Sequence, residues 1–328
     1  MSDLSLEIRP RIERDAREYL GRYVEAYEQL LALAVEMLEP DNGWHGHPID
    51  GNRPADSLIA VEAARGLKTY RAVLHLCLSG FGQQAAMLDR SLFEGTVVVH
   101  WVRANPELAA KRWDQHFRHN KAMWHERFTE AGIPVPEIQD LPGEDERREL
   151  NEIFGRWGTK LWPGLPMHKL VHSIEDQWDE PEELRKTFAI VHADNVETLH
   201  TSMLALSRMV MSEDDGHLQA ESGSSLNHVE KGLFGGLWPY GHTLMLLADH
   251  FEIEGRERVQ PLVEVAKKQF YPLAENEKPS RNESCPCGRK EVQEVPRLQV
   301  APSSSLSCAM VWTATVGSLF GFISSIWG

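Results

Sequence analysis

The stretch that most constrains the fold is Gln83–Arg103, QQAAMLDRSLFEGTVVVHWVR. Its spacing predicts one helix, and from Leu92 to Val102 apolar side chains cover most of the circumference of that helix. A helix that is apolar all round is buried by other helices rather than laid on a surface. We therefore expect a multi-helix bundle in which this segment is the central buried helix.

Two charged residues interrupt the central segment, Arg90 and Glu94. They are four residues apart and so share one face of the predicted helix. Buried charges are seldom tolerated unless they are paired. We expect a buried charged pair, in which Arg90 and Glu94 meet each other, a neighbouring helix or a ligand.

Helical periodicity recurs along the body of the chain, and no stretch alternates convincingly with period two, so the predicted fold class is all-α. Helix is also expected from Asn195 to Met211, followed by a polar loop. A small cysteine motif and an irregular tail follow the bundle. The predicted division is a helical domain at 1–270, a linker at 271–280, a partial metal-binding motif at 281–288 and a tail at 289–328.

Composition excludes several classes of protein. The chain has 328 residues and a formal net charge of -15, which disfavours nonspecific nucleic-acid binding because phosphate contacts need clustered Lys and Arg. Four cysteines in this length do not make a disulfide scaffold. The acidic, amphipathic start does not resemble a signal peptide, so a cytoplasmic protein is expected.

The cysteine motif runs RNESCPCG from Arg281 to Gly288. It resembles the opening of the SEC-C motif, a small zinc-binding tail. The resemblance implies zinc ligation by Cys285 and Cys287, completed in that family by a Cys and a His or Cys further on. Such a four-ligand site is structural, because no coordination position is left for a substrate. This chain lacks the second half, so we expect it to bind zinc weakly or not at all.

The missing half is compatible with a shifted reading frame. Synonymous codons for KEVQEVPRL, residues 290–298, can be chosen that give Arg-Lys-Tyr-Lys-Lys-Cys-His-Gly when read one base later. These are the residues that the SEC-C pattern requires, in its order. The hypothesis is that everything after Gly288 is out-of-frame translation, which resequencing of the gene across this point tests.

The apolar stretch Leu306–Gly328 has the length of a membrane span. It carries Ser, Thr and Gly throughout and no basic flank immediately before it, which is atypical of an anchor. We therefore do not expect a membrane partner.

The body resembles a bacterial all-helical family of unassigned function whose members often carry a SEC-C tail. The resemblance rests on LDRSLFE at Leu88–Glu94 and on a later helix that ends in Val191-His192. It spans Ile59–Met211 and implies a helical fold, with no activity attached.

Arg185 and His192 are seven residues apart, two turns along one predicted helix face. The Arg-x(4–6)-His spacing resembles that of HEPN ribonucleases, which are also helical bundles. That resemblance implies that His192 acts as a general base on a ribose hydroxyl while Arg185 stabilises charge on the phosphate. Because a helical chain with 15 His contains such pairs by chance, a structural histidine remains the competing interpretation.

Two functional hypotheses follow. The first is a helical protein that works by binding a protein partner, with the zinc tail as a docking module; a homodimer is compatible with it. The second is a metal-independent ribonuclease of the HEPN kind, with RNA as substrate and Arg185 and His192 as catalytic residues.

Overall fold

A computed structural model describes residues 4–38, 54–133, 140–156, 160–178, 180–193, 210–212, 218–220 and 224–270. These residues belong to one compact unit that spans Met1–Pro272. Their regular secondary structure is helical apart from one short pair of strands, which confirms the predicted all-α bundle. The helices are α1 (Leu4–Leu38), α2 (Pro54–Leu78), α3 (Gly82–Ala104), α4 (Pro106–Glu130), α5 (Glu144–Phe154), α6 (Met167–Ile174), α7 (Pro181–Thr187), α8 (Val229–Phe251) and α9 (Arg256–Phe270).

Turn-forming residues lie at the boundaries of α2, α3 and α4. Gly80 has a φ of 78° and closes α2, since glycine adopts this left-handed conformation without strain. Asn105 separates α3 from α4, and Pro106 occupies the first turn of α4, where its missing N–H is not needed. Gly132, with a φ of 68°, follows the end of α4.

The central helix is α3, as predicted. It packs most extensively against α8 and α2, and its apolar side chains from Leu92 to Val102 are almost all buried. Buried Thr96 is satisfied by the carbonyl oxygen of Pro239 at 2.8 Å and by the hydroxyl of Thr243 at 2.9 Å. The contact between α3 and α8 is therefore close and is tied by hydrogen bonds as well as by apolar packing.

Two stacked tyrosines fasten α1 to α2. The rings of Tyr27 and Tyr70 lie 3.7 Å apart and nearly parallel. Each hydroxyl donates to the backbone carbonyl of the other residue, at 3.1 Å from Tyr27 and 3.2 Å from Tyr70. The pair thus satisfies its own buried polar groups. Seven residues before Tyr27, α1 bends at Leu20, whose φ and ψ are not helical.

One expectation for the later part of the chain is wrong. Val210–Ser212 and Leu218–Ala220 form an antiparallel pair of strands, in which Met211 pairs with Gln219. The helix predicted up to Met211 therefore does not reach that residue. The intervening sequence Glu-Asp-Asp-Gly is rich in turn formers, which favours a hairpin over a helix end. Residues 195–209 of the predicted helix lie outside the described residues.

No helix in the described ranges is both long and apolar enough to cross a bilayer. The predicted linker, the cysteine motif and the tail, residues 271–328, lie outside what the structure describes.

Candidate functional site

Glu94 joins two sets of residues that the sequence analysis named separately. Arg90 donates from Nε to Glu94 Oε1 at 2.8 Å, one turn away on α3. His192 Nε2 lies 3.1 Å from the same oxygen, although it is 98 residues further along the chain. The charged pair of the central helix and the candidate catalytic histidine therefore meet on one carboxylate.

A π-helical turn places His192 against α3. The α-helical part of α7 ends at Thr187, and Phe188–Ala193 continue as a wider π-helical turn. The ring of His192 stacks on Phe188 at 5.1 Å and lies 6.3 Å from the ring of Phe93. His192 is only 9% exposed. It is thus enclosed by aromatic rings on two sides and held by one carboxylate.

Arg185 faces a different carboxylate. Its Nη1 lies 3.7 Å from Glu175 Oε2, and its side chain is 58% exposed. The predicted shared face assumed an unbroken α-helix between Arg185 and His192. A π-helical turn advances by fewer degrees per residue, so that the two side chains leave the helix in different directions. The structure therefore does not bring this pair together, and its catalytic role stays a prediction.

The Arg90–Glu94 pair is less buried than expected. The two side chains are 25% and 23% exposed. The reason is that their side of α3 is bordered by polar residues of α2 and by the π-helical turn, while the apolar sides of α3 carry the core. The pair is partly buried, which lowers the desolvation penalty of its charges.

The sequence analysis missed the contribution of α2. Arg65 donates to Glu62 Oε2 at 2.9 Å and to the Ser91 hydroxyl on α3 at 2.8 Å. Gly95 of α3 leaves room for the Glu62 side chain of α2, because a Cβ at position 95 would lie 2.1 Å from Glu62 Oε1. The available signal was the spacing of Glu62 and Arg65, opposite charges three apart on a helix. We call the set of Glu62, Arg65, Arg90, Ser91, Glu94 and His192 the Glu94 cluster.

The Glu94 cluster balances its own charges. Burial would raise the pKa of Glu94, but hydrogen bonds from His192 and Arg90 outweigh it, so that this pKa lies below its ordinary value. Two guanidinium groups, those of Arg65 and Arg90, face two carboxylates. With His192 Nε2 donating to Glu94, a neutral imidazole keeps Nδ1 as an acceptor. Such a histidine can take up a proton while the carboxylate stabilises the charge that results.

A metal centre is not part of this cluster. Within the described ranges, no three His, Cys, Asp or Glu side chains come together in a way that could hold a metal ion. Cys285 and Cys287, the predicted zinc ligands, lie outside those ranges.

A second feature is an aromatic face on α4, which consists of Trp113, Phe117, Trp124 and Phe128. These side chains are between 37% and 62% exposed, although large aromatic side chains are usually covered. Their spacing of four, seven and four residues puts them within about 60° of one another on the helix. Trp113 packs edge-on against Trp162 at 5.4 Å, and Trp124 lies beside Phe128 at 5.5 Å. The sequence already contained this spacing, but the burial of the other α4 faces had to be known to recognise it.

Comparison with known proteins gives a family match and nothing narrower. No curated protein matches the chain, and no solved structure matches it. The family match does not extend to the cysteine motif at 281–288. Residues 56–218 match the model of a family described as "Family of unknown function (DUF5677)", and this range begins in the first turn of α2 and includes all six residues of the Glu94 cluster.

Proposed function

We propose that this protein works by binding protein chains through the aromatic face of α4, and that the chain bound there is a second copy of the same face. The observation that carries the proposal is the exposure of four large aromatic side chains in one row. Exposed apolar patches of a few hundred Å² on a globular protein commonly mark interaction sites. Aromatic residues also contribute most of the binding energy in protein interfaces.

The order of the aromatic residues favours a second copy. The spacing of four, seven and four is the same in both directions along α4. In an antiparallel pair related by a two-fold axis, Trp113 would lie opposite Phe128 of the second copy. Phe117 would then lie opposite Trp124 of the second copy, close to the axis. A two-fold interface requires this kind of self-complementary surface.

The exposed area fits a modest dimer interface. From ordinary aromatic side-chain areas, the four residues expose roughly 400 Å² per copy. Two copies would bury roughly 800 Å² from these residues, about half of a standard interface.

Phe117→Glu and Trp124→Glu are each expected to weaken dimerisation by about 100-fold or more. Each substitution brings two carboxylates close to the two-fold axis and removes two aromatic contacts. Light scattering coupled to size-exclusion chromatography should give twice the 37.2 kDa chain mass for the wild type and the single-chain mass for the variants. Because both positions are exposed, the variants should keep the helical content of the wild type.

Val61→Glu is the matched control, since Val61 is an equally exposed apolar residue on α2. It should leave the dimer unchanged. A wild-type protein that stays monomeric at high micromolar concentration would contradict the proposal. The same conclusion would follow if Phe117→Glu and Val61→Glu dimerised equally well.

A zinc-bound tail is a second docking element within this proposal. It rests on the RNESCPCG sequence at Arg281–Gly288 alone. The two thiolates of Cys285 and Cys287 fill only half of a tetrahedral shell, so the tail would need the ligands of the restored reading frame. The zinc content of a frame-restored protein, compared with that of the present chain, tests it.

A ribonuclease of the HEPN kind is the second candidate function. The observation that favours it is the hydrogen bond between His192 and Glu94, which orients an imidazole beside the guanidinium of Arg90. In this reaction His192 Nδ1 would take the proton of a ribose 2′-hydroxyl, and arginine would stabilise the charge on the phosphate. The burial of His192 counts against it, because RNA would have to displace the rings that enclose the histidine.

His192→Ala is expected to abolish RNA cleavage if this second candidate is right. A single-stranded RNA substrate with a fluorescent end label would report the cleavage. His172→Ala is the control, since His172 is an exposed histidine on α6. The absence of cleavage by the wild type, or equal cleavage by wild type and His192→Ala, would remove the enzyme from consideration.

A further inference from the structure

A cavity of about 590 Å³ lies between α3, α8, α9 and the segment before α7. Pockets of this size hold small organic ligands in many proteins. The cavity is distinct from the Glu94 cluster and from the aromatic face of α4, because its lining includes no residue of either. Its walls carry opposite net charges at its two ends.

One end of the cavity carries a net positive charge. Arg103 of α3 and Arg256 of α9 both pair with a single carboxylate, that of Asp249. Two guanidinium groups against one carboxylate leave one positive charge uncompensated. A ligand carboxylate at this end would form charge-assisted hydrogen bonds, which arginine makes in a bidentate geometry.

The other end carries a net negative charge. Lys267 Nζ lies 2.8 Å from both Glu180 and Glu183, and 3.8 Å from Glu264. Burial lowers the pKa of Lys267, but the hydrogen bonds that its ammonium group donates to Glu180 and Glu183 outweigh this effect and raise the pKa. Three carboxylates against one ammonium group leave two negative charges. A ligand ammonium group would compensate one of them.

The two ends are far apart. Arg256 and Lys267 are eleven residues apart on α9, about 16 Å along the helix. Between them the wall carries no charged side chain. Trp178 lies 4.8 Å from His242, and the neighbouring lining residues are Met245, Val263, Gln177 and Gln260. A ligand that reaches both ends therefore needs an uncharged middle part.

Two neutral imidazoles line the same cavity. Burial lowers the pKa of His100 to about 3 and that of His242 well below its ordinary value, so both are uncharged at neutral pH. The Nε2 atom of His100 is buried and has no hydrogen-bond partner among the described residues. A buried polar atom without a partner is uncommon in a folded protein. A polar group of a bound ligand would satisfy it.

We propose that this cavity binds a short linear zwitterion, a peptide of about three residues with both termini free, which spans about 10 Å when extended. Its carboxylate lies at Arg103 and Arg256, and its ammonium group lies at the three glutamates. Its middle part lies against Trp178 and His242, and a peptide amide hydrogen-bonds to His100. The charge of each terminus is thus matched to the net charge of one end of the cavity.

Isothermal titration calorimetry with trialanine tests the proposal on the full-length protein. Trialanine is expected to bind, and capping either terminus, as in N-acetyl-trialanine or trialanine amide, should weaken binding about tenfold or more. Arg103→Gln should remove the difference between trialanine and its amide. Glu264→Gln leaves one of the two uncompensated negative charges and should therefore reduce the difference between trialanine and its acetylated form. Arg103 and Glu264 are both substantially exposed, so that neither variant should disturb folding.

Glu257→Gln is the matched control, an exposed acidic residue on α9 outside the cavity lining. It should bind the three peptides as the wild type does. The proposal is overturned if none of the peptides binds up to about 10 mM. It is also overturned if the capped forms bind as tightly as trialanine, since the affinity of the cavity then does not depend on the charges of the peptide termini.

Discussion

Gly82→Ala is expected to lower the free energy of unfolding by about 3 kcal/mol or more, the upper part of the range for overpacked cores. Gly82 begins α3 and lies against the backbone that begins α8. A Cβ at this position would lie 2.3 Å from the backbone nitrogen of Val229 and 2.4 Å from the carbonyl carbon of His228. Backbone atoms cannot rotate away as a side chain can, so α3 and α8 would have to separate at this end. These two helices form the most extensive contact of the bundle.

Urea denaturation followed by circular dichroism measures this effect. Gly21→Ala is the control, because Gly21 lies in α1 and a Cβ there would meet nothing within 4 Å. It should be neutral or stabilising by about 0.5–1 kcal/mol, the gain in helix propensity from glycine to alanine. Equal midpoints for the two variants would mean that the beginnings of α3 and α8 are not as close as described.

Asp89→Asn is expected to stabilise the protein at neutral pH. Asp89 lies on α3 with no exposed surface, and neither of its carboxylate oxygens has a hydrogen-bond partner among the described residues. Burial raises its pKa well above the ordinary value, an effect that the charge of Lys231 only partly opposes. The folded protein therefore favours the neutral acid, and asparagine is a neutral group of the same shape.

The stabilisation by Asp89→Asn should depend on pH, and the raised pKa of Asp89 gives the direction of that dependence. A carboxyl group whose pKa is raised by folding destabilises the native state as the pH rises from its unfolded pKa to its folded pKa. The wild type should lose about 1.4 kcal/mol per pH unit over that interval. Below the unfolded pKa, wild type and Asp89→Asn should be about equally stable, and the variant should gain as the pH increases.

Thermal unfolding between acidic and neutral pH checks this prediction. Asp145→Asn is the control, because Asp145 is almost fully exposed on α5, where it pairs with Arg148 at the surface. Its stability should follow that of the wild type at every pH. If Asp89→Asn also follows the wild type, the carboxyl group of Asp89 is not held in an apolar environment.

The helices were predictable because local chemistry decides them. The apolar circumference of Leu92–Val102 identified α3 as central. The strand pair at Val210–Ser212 was missed, since a three-residue strand has too few positions to show a period. Short strands depend on their partner, here Leu218–Ala220, and a partner contact is not visible in local periodicity.

The candidate sites were predictable only in part. Helical spacing was enough to pair Arg90 with Glu94, because that contact lies within one helix. It could not pair His192 with Glu94, a contact between residues 98 positions apart. The π-helical turn at Phe188–Ala193 changed the direction of His192, and propensity does not predict such turns. The charged cavity between α3, α8 and α9 depends on the packing of three separate helices.

The π-helical turn also bears on how related chains should be aligned. A π-helical turn accommodates one residue more than the α-helical turn it replaces. A relative with one residue fewer in this region could form an uninterrupted helix, with its histidine only six positions after the arginine. An alignment gap of one residue between Arg185 and His192 would then superpose histidines that leave the helix in nearly the same direction, so that both kinds of relative can keep the contact to Glu94. A motif search with a fixed arginine-to-histidine interval would separate these relatives, and one with a variable interval would group them.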